Sequence, residues 1–405
     1  MKNFSFFIRK IFLRRWILIV TIIPFLFVAN YLVFIVARSS MSTVQGYQEM
    51  QKLNQEGTYI GREDADHMIN FDIVTNEKMH DIYTYLDNHF RYGLYSDGTI
   101  SSISNRYGIE VPLNYINQDF YQQNLFGISD GVDLSFDYSI KDKIPVLVGE
   151  GLRRDYPIGT EIRLKEPSLR RDVIFTVCGV LKKNTSHSNF YTLSSKKYYN
   201  FSILVPVNKE FIQNAQRGFG VNAIMNLVIF DSTREKLEEF NELIQKNLEA
   251  RFKFSTQDEN YEFFKDYYVA SLEIIFCITF VILIVVVALS IWNTLASIRL
   301  MIKDFSIHLF VGLSYSRLRF MLYGYIGLLL FVSWVAVFLC TVADRYRAWA
   351  EKITFFITYG VFGLIGMDWL ALLVTMGFDI ALAVMIVELM MRKIKKIPIS
   401  LGVMQ

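Results

Sequence analysis

The sequence predicts an α-helical membrane protein with four transmembrane helices in a 1+3 arrangement, and a mixed α/β extracytoplasmic domain between helices 1 and 2. Three observations predict it. Uncharged runs at Trp16 to Ala37, Ile274 to Trp292 and Phe320 to Ala343 each reach the roughly 20 residues that a helix needs to cross the ~30 Å hydrocarbon layer. Basic residues without acids flank both ends of the chain, Lys2, Arg9, Lys10, Arg14 and Arg15 at the start and Arg392, Lys393, Lys395 and Lys396 in the tail, which assigns both termini to the cytoplasm. The stretch 38–268 is long and mixed in composition, as a translocated domain is.

The last apolar region needs parsing, because Ile353 to Met367 and Trp369 to Val387 are separated only by Asp368. The second run has spanning length despite Asp379 at its middle. The first is short and carries Gly360, Gly363 and Gly366, which leaves re-entrant, interfacial and helix-extending placements open. Two cytoplasmic ends require an even number of spans, so four are expected. The divisions are then a cytoplasmic amphipathic helix at 1–15, spans at 16–37, 269–293, 319–343 and 368–391, the domain at 38–268, a cytoplasmic segment at 294–318, a partly apolar outside loop at 344–367 and a basic tail at 392–405.

Composition agrees: 52% of the 405 residues are hydrophobic and 15% aromatic, above the usual soluble range. Of the three cysteines, Cys277 and Cys340 fall in spans and only Cys178 lies outside, so the domain is expected to have no disulfide. The net charge of +3 comes mostly from the basic ends, and no nucleic-acid partner is expected. The first run is too long for a signal peptide and lacks a small-residue cleavage site, so it is read as an anchor.

Along the chain, Phe4, Phe7, Ile8, Ile11 and Phe12 have helical spacing among basic residues, as a helix lying on a membrane surface does, with lipid as its partner. Polar residues after Arg38 and before Ile274 extend the first two spans into a stalk. Met79, Ile82, Tyr83, Leu86 and Phe90 mark a helix over about 75–90, and Leu237, Phe240, Leu243, Ile244 and Leu248 mark another, starting at Asp231 and Ser232. Strands are predicted at 145–148, 161–164, 173–180, 201–207 and 223–230, with 95–200 inserted between the two helices. Pro24 is expected to kink the first span.

Catalytic patterns are missing: the sequence has no Walker loop, HExxH, paired CxxC or GxSxG. His80 and His89 are nine residues apart and on opposite sides of the predicted helix, so no metal site is expected. Asp379 is read as facing a polar partner on another helix, with a proton or substrate site as the alternative.

The segment Asn293 to Arg319 is the most informative. Ile298, Met301, Ile302, Phe305, Leu309 and Phe310 follow helical spacing, Gly312 suits a helix stop and Ser314 suits the next N-cap. It resembles the loop between the second and third spans of MacB/FtsX-type ABC transporter permeases, whose pattern is roughly REIGxxxAxGxSxxxI. Lys303, Asp304, Phe305 and Ser306 stand where Arg, Glu, Ile and Gly are usual, and Gly312 and Ser314 fall on the family's Gly and Ser. Phe310 replaces a usual small residue. A second stretch is similar to the family's VVVGExLAxxxxxxxGxxIxL and FTVVGVL runs, through Val146, Val148, Gly149, Glu150, Leu152, Gly159, Ile162, Leu164, Phe175, Thr176, Val177, Gly179 and Val180.

The resemblance implies a permease in the cell (inner or plasma) membrane that is not itself an enzyme and binds no cofactor. ATP would be held by a separate ABC-type ATP-binding subunit, working as a dimer beneath a second permease copy or a homologous permease. Lys303, Asp304, Phe305, Ile307, Gly312 and Ser314 would couple the two, with Asp304 as an ionic contact. The implied role is mechanotransmission to the outside domain for export or handling of a peptide, antibiotic or lipid-linked substrate. The alternative is an FtsX-like regulatory permease acting on a cell-wall hydrolase or a membrane sensor, and a third reading is a stand-alone membrane enzyme.

Overall fold

The computed structural model describes residues 16–53, 55–124, 126–188, 196–264 and 270–396. The predicted amphipathic helix at 1–15 lies outside the described residues. The chain divides into two units, one drawn from the described residues of 1–41, 270–344 and 364–405, the other from those of 42–269 and 345–363.

The first helix, α1 (Trp16–Gln51), runs unbroken through Pro24 and beyond the apolar stretch. The α/β unit then opens with β1 (Tyr59–Glu63), α2 (Asn76–His89), β2 (Arg91–Gly93), β3 (Tyr95–Ser104), β4 (Glu110–Asn117), α3 (Gln118–Asn124) and β5 (Ile128–Gly131). It continues through β6 (Lys143–Val148), β7 (Glu161–Glu166), β8 (Arg171–Leu181), β9 (Ser186–Ser188), β10 (Lys196–Tyr198) and β11 (Ile203–Val207). After these come α4 (Lys209–Asn214), α5 (Arg217–Ile224), β12 (Val228–Phe230), α6 (Arg234–Leu248), β13 (Phe252–Ser255) and α7 (Gln257–Phe264).

Three long helices follow: α8 (Ala270–Phe310), α9 (Tyr315–Ala350) and α10 (Gly366–Lys395). With α1 they make 4 helices, among the described residues, that are long and apolar enough to cross a membrane.

Two larger sheets organise the α/β unit. A four-stranded antiparallel sheet has the order β13-β1-β12-β2, and a seven-stranded mixed sheet has the order β3-β4-β11-β6-β8-β5 with β7 also on β8. The 11-residue β8 accommodates three partners because β6 runs parallel along one edge, while β7 takes Arg171–Thr176 and β5 takes Gly179–Leu181 of the other. Prolines lie where only one neighbour pairs: Pro112 opposite β3, Pro145 opposite β8 and Pro206 opposite β4, so no central ladder loses an N–H donor.

Helices α2 and α6 pack together through Ile82, Leu86, Phe240 and Ile244, all buried. Thr75 caps α2 by accepting from Lys78 N. The cap of α6 is Thr233, not Asp231 or Ser232, because Asp231 takes a left-handed φ of 53° and Ser232 N bonds to Gly57 O. The strand predicted over 223–230 is confined to Val228–Phe230; its first part closes α5, where Asn226 N turns back to Ala223 O.

Most of the glycine-containing apolar segment after α9 lies outside the long helices, and its last residues, Gly366 and Met367, begin α10. It includes two single 3-10 turns, Thr354–Phe356 and Val361–Gly363, and Ile357 and Tyr359 pack within the α/β unit while Phe356, Val361 and Phe362 are exposed. Ile357 is fully buried in that unit's main core. Trp349 meets the Phe201 ring edge-on at 5.1 Å, and Tyr359 stacks on the same ring at 6.0 Å.

Candidate coupling site

The turn between α8 and α9 has a defined hydrogen-bond pattern. Leu313 N donates to His308 O at 3.0 Å and Gly312 N to Leu309 O at 3.1 Å, the nested pair that ends a helix when the residue after the cap is left-handed. Gly312 supplies that conformation with φ 100°, one that costs a side-chain-bearing residue about 1–2 kcal/mol. Ser314 then starts α9, its Oγ accepting from Arg317 N at 3.4 Å. The stop and the cap are therefore separated only by Leu313, and the chain reverses within a single turn.

Phe305 anchors this turn. Its ring is buried in a cluster with Ile22 and Leu26 of α1, Leu318 and Leu322 of α9, and Ile386 and Met390 of α10, so it holds the helix end in the bundle and is not offered to a partner. Ile307 is 41% exposed, and Phe310 and Val311 are 77% and 78% exposed. Lys303 and Asp304 lie in the same helix, and their side chains fall outside the described residues. The apolar residues with helical spacing at 298–310 form the last part of α8, one continuous helix of 41 residues, so the second apolar stretch continues into this segment.

Polar pairs join the apolar helices. Asn30 Nδ2 of α1 donates to Asp379 Oδ2 of α10 at 3.0 Å. Arg38 Nε of α1 donates to Asp368 Oδ1 at 2.6 Å, and Asp368 Oδ2 accepts from Ile365 N to cap α10. Nearer the C-terminal end of α10, α9 and α10 meet through Glu388, which faces Arg319 at 3.3 Å and accepts from Tyr323 Oη at 3.2 Å.

Inside the α/β unit the hairpin β9–β10 contacts both segments that continue into apolar helices. Lys196 Nζ pairs with Glu49 of α1 at 2.6 Å, and Lys197 Nζ stands 5.6 Å from the Phe355 ring centroid. Burial lowers the Lys197 pKa from its ordinary value and lowers that of His187, beside the Lys196 pair, to about 4. Asn184 grips the same turn segment, its Nδ2 donating to Tyr359 O and its Oδ1 accepting from Tyr359 N, both at 2.7 Å, and Asn200 Nδ2 donates to Ile357 O at 2.9 Å.

Residues of the VGExL and FTVxGV runs form one patch, since β6 pairs with β8 and β8 with β7. Val146, Val148, Ile162, Leu164, Phe175 and Val177 belong to one core. Gly149 ends β6 where a Cβ would stand 1.8 Å from Tyr199 O, which explains glycine there by close backbone approach. Burial raises the Cys178 thiol to about 11, far from the range of a reactive cysteine.

No family model matches the chain, and no curated protein matches it in sequence. Among solved structures it is similar to the extracellular domain of the noncanonic ABC-type transporter YknZ from Gram-positive bacteria, with 12% identity over 49% of this chain and 99% of that one and a TM-score of 0.31. It is similar also to the periplasmic region of MacB from Actinobacillus actinomycetemcomitans, with 12% identity, 53% and 95% coverage and a TM-score of 0.32. A domain of a Porphyromonas gingivalis protein described as a permease is a third, with 13% identity, 51% and 91% coverage and a TM-score of 0.30. The first is described as an extracellular domain and the second as a periplasmic region, while the sequence itself resembles MacB/FtsX-type permeases at 144–182 and 293–319.

Proposed function

We propose that this chain is the permease subunit of an ABC transporter, held in the cell membrane by its four apolar helices with both termini cytoplasmic, and that it passes ATP-driven motion to its α/β domain. ATP binding and hydrolysis belong to a separate ABC-type subunit, acting as a dimer under two permeases. Peptide, antibiotic or lipid-linked substrates are handled at the outside domain and do not cross through this subunit.

The observation that carries the reading is the form of α8: one unbroken helix, about 60 Å long at 1.5 Å per residue, that ends in the Gly312 turn with Ile307, Phe310 and Val311 exposed beside it. A push on that turn is carried along a stiff rod. Lys303 and Asp304 lie within two turns of its end, where a partner's charges would meet them. The apolar stretch Phe276–Asn293 of α8 is only 11% buried, leaving faces for lipid and for the second permease.

The test is co-purification with an ABC-type ATPase followed by Asp304→Lys. Permease-stimulated ATP hydrolysis is expected to disappear while the α/β domain keeps its circular dichroism and melting transition; unchanged stimulation overturns the coupling role. Capture of a wall hydrolase or a signalling kinase by the domain, without substrate-dependent ATP turnover, would replace transport by regulation.

A further inference from the structure

The contact between Asn30 and Asp379 holds more acceptors than donors. Asn30 is fully buried and Asp379 is 7% exposed. One hydrogen bond joins them, Asn30 Nδ2 to Asp379 Oδ2 at 3.0 Å, and the two remaining oxygens, Asn30 Oδ1 and Asp379 Oδ1, are buried with no hydrogen-bond partner among the described residues. An ionised carboxylate has only acceptors, so in that form both oxygens are orphaned, each at a cost of about 1–3 kcal/mol. A buried charge without a counter-ion costs more still.

Among the described residues no basic side chain pairs with Asp379; Arg38, on the same helix as Asn30, is engaged with Asp368. Asn30 to Arg38 is eight residues, about 12 Å along the helix, and Asp368 to Asp379 is eleven, about 16 Å. Three hydroxyls of the bundle are turned to their own helices: Thr375 Oγ1 donates to Ala371 O, Ser333 Oγ to Leu329 O and Thr341 Oγ1 to Val337 O. Trp334 Nε1 donates to Leu372 O.

A carboxylic acid and a primary amide complement each other in two hydrogen bonds, N–H to carboxyl oxygen and O–H to amide oxygen. One added proton satisfies both orphans at once. We propose that Asp379 is a proton-binding site: its Oδ1 carries the proton and donates to Asn30 Oδ1, so that an acid–amide pair, and not a charge, locks α1 to α10. The inference rests on the pair itself and stands independently of the transport reading. Binding requires only a proton, taken up from water when the two helices come together and released if they part.

The test is infrared spectroscopy of the purified full chain in lipid nanodiscs at neutral pH. The wild type minus Asp379→Asn difference spectrum is expected to show a hydrogen-bonded carboxylic-acid C=O stretch. Asn30→Leu, which keeps the acid but removes its partner, is expected to move that band to the higher frequency of a free carboxyl. Loss of a carboxylate band in its place, or a band that Asn30→Leu does not move, overturns the proposal. If Asp379→Asn does not fold, carboxyl-labelled aspartate in the wild type and Asn30→Leu proteins gives the same decision.

Discussion

Lys196 Nζ and Glu49 Oε1 lie 2.6 Å apart, with only 4% of the lysine side chain exposed against 28% of the glutamate. The pair is thus unequal, and so should be the effects of breaking it. Glu49→Ala strands a buried ammonium and is expected to cost about 3 kcal/mol, whereas Lys196→Met leaves a carboxylate that water can reach and replaces the lysine stem by apolar volume. Thermal unfolding of both variants checks this; equal losses would show that the pair's inequality does not matter.

His187 makes the α/β domain acid-sensitive. Burial holds its pKa at about 4 against an ordinary 6.5, so the unfolded chain binds the proton first as pH falls. Stability is then full above about 6.5, is lost between 6.5 and 4, and is not lost further below; at pH 5 the loss is about 2 kcal/mol. Glu166, raised by burial, acts with the opposite sign but identically in a His187→Phe variant. The wild type is expected to lose more melting temperature than His187→Phe between pH 7 and pH 5.

Ile357 fills the domain core from a segment far along the chain. Ile357→Ala should destabilise the domain by about 3 kcal/mol, in the range for emptying a buried aliphatic site. A soluble fragment of 42–268 should bind the hydrophobic dye ANS and melt below the same fragment joined by a linker to 345–363. Identical melting of the two would show the segment to be dispensable.

Gly312 separates geometry from space. A Cβ there meets nothing within 4 Å, so Gly312→Ala carries only the conformational cost of φ 100°, about 1 kcal/mol. Global melting should hardly change, yet the turn should fray and stimulation of a partner ATPase should fall several-fold. A variant with full stimulation would remove the turn from the coupling route.

Gly149→Ala is expected to fail differently. The added carbon would collide with the Tyr199 carbonyl, which is backbone and cannot rotate away, so the whole seven-stranded sheet should be compromised. Loss of soluble, monodisperse protein on size exclusion is the measurement.

What the sequence disclosed follows from the strength of each local pattern. Helices α2 and α6 could be read because their apolar residues repeat with one helical period, β6 and β8 because β-branched residues run together, and β7 because Ile162 and Leu164 alternate with charged residues. Strands β3 and β4 were hidden: β3 is rich in serine and carries a glycine, and β4 contains Pro112, which is tolerated only because β11 pairing starts one residue later, at Leu113. The turn residues Gly312 and Ser314 were legible because caps are local. Asp379 was visible as a lone carboxylate, but its partner Asn30 is 349 residues away. The destination of 353–363 was ambiguous for a physical reason, since a lipid interface and a protein groove select the same apolar and small side chains.

That segment also sets an order of events during synthesis. Domains generally complete themselves as the chain emerges from the ribosome, but here the core awaits Ile357 and the Asn184 and Asn200 clasps await residues 357–359. The α/β fold therefore stays open until α8 and α9 have been made, and its closure marks the moment at which three of the four apolar helices exist.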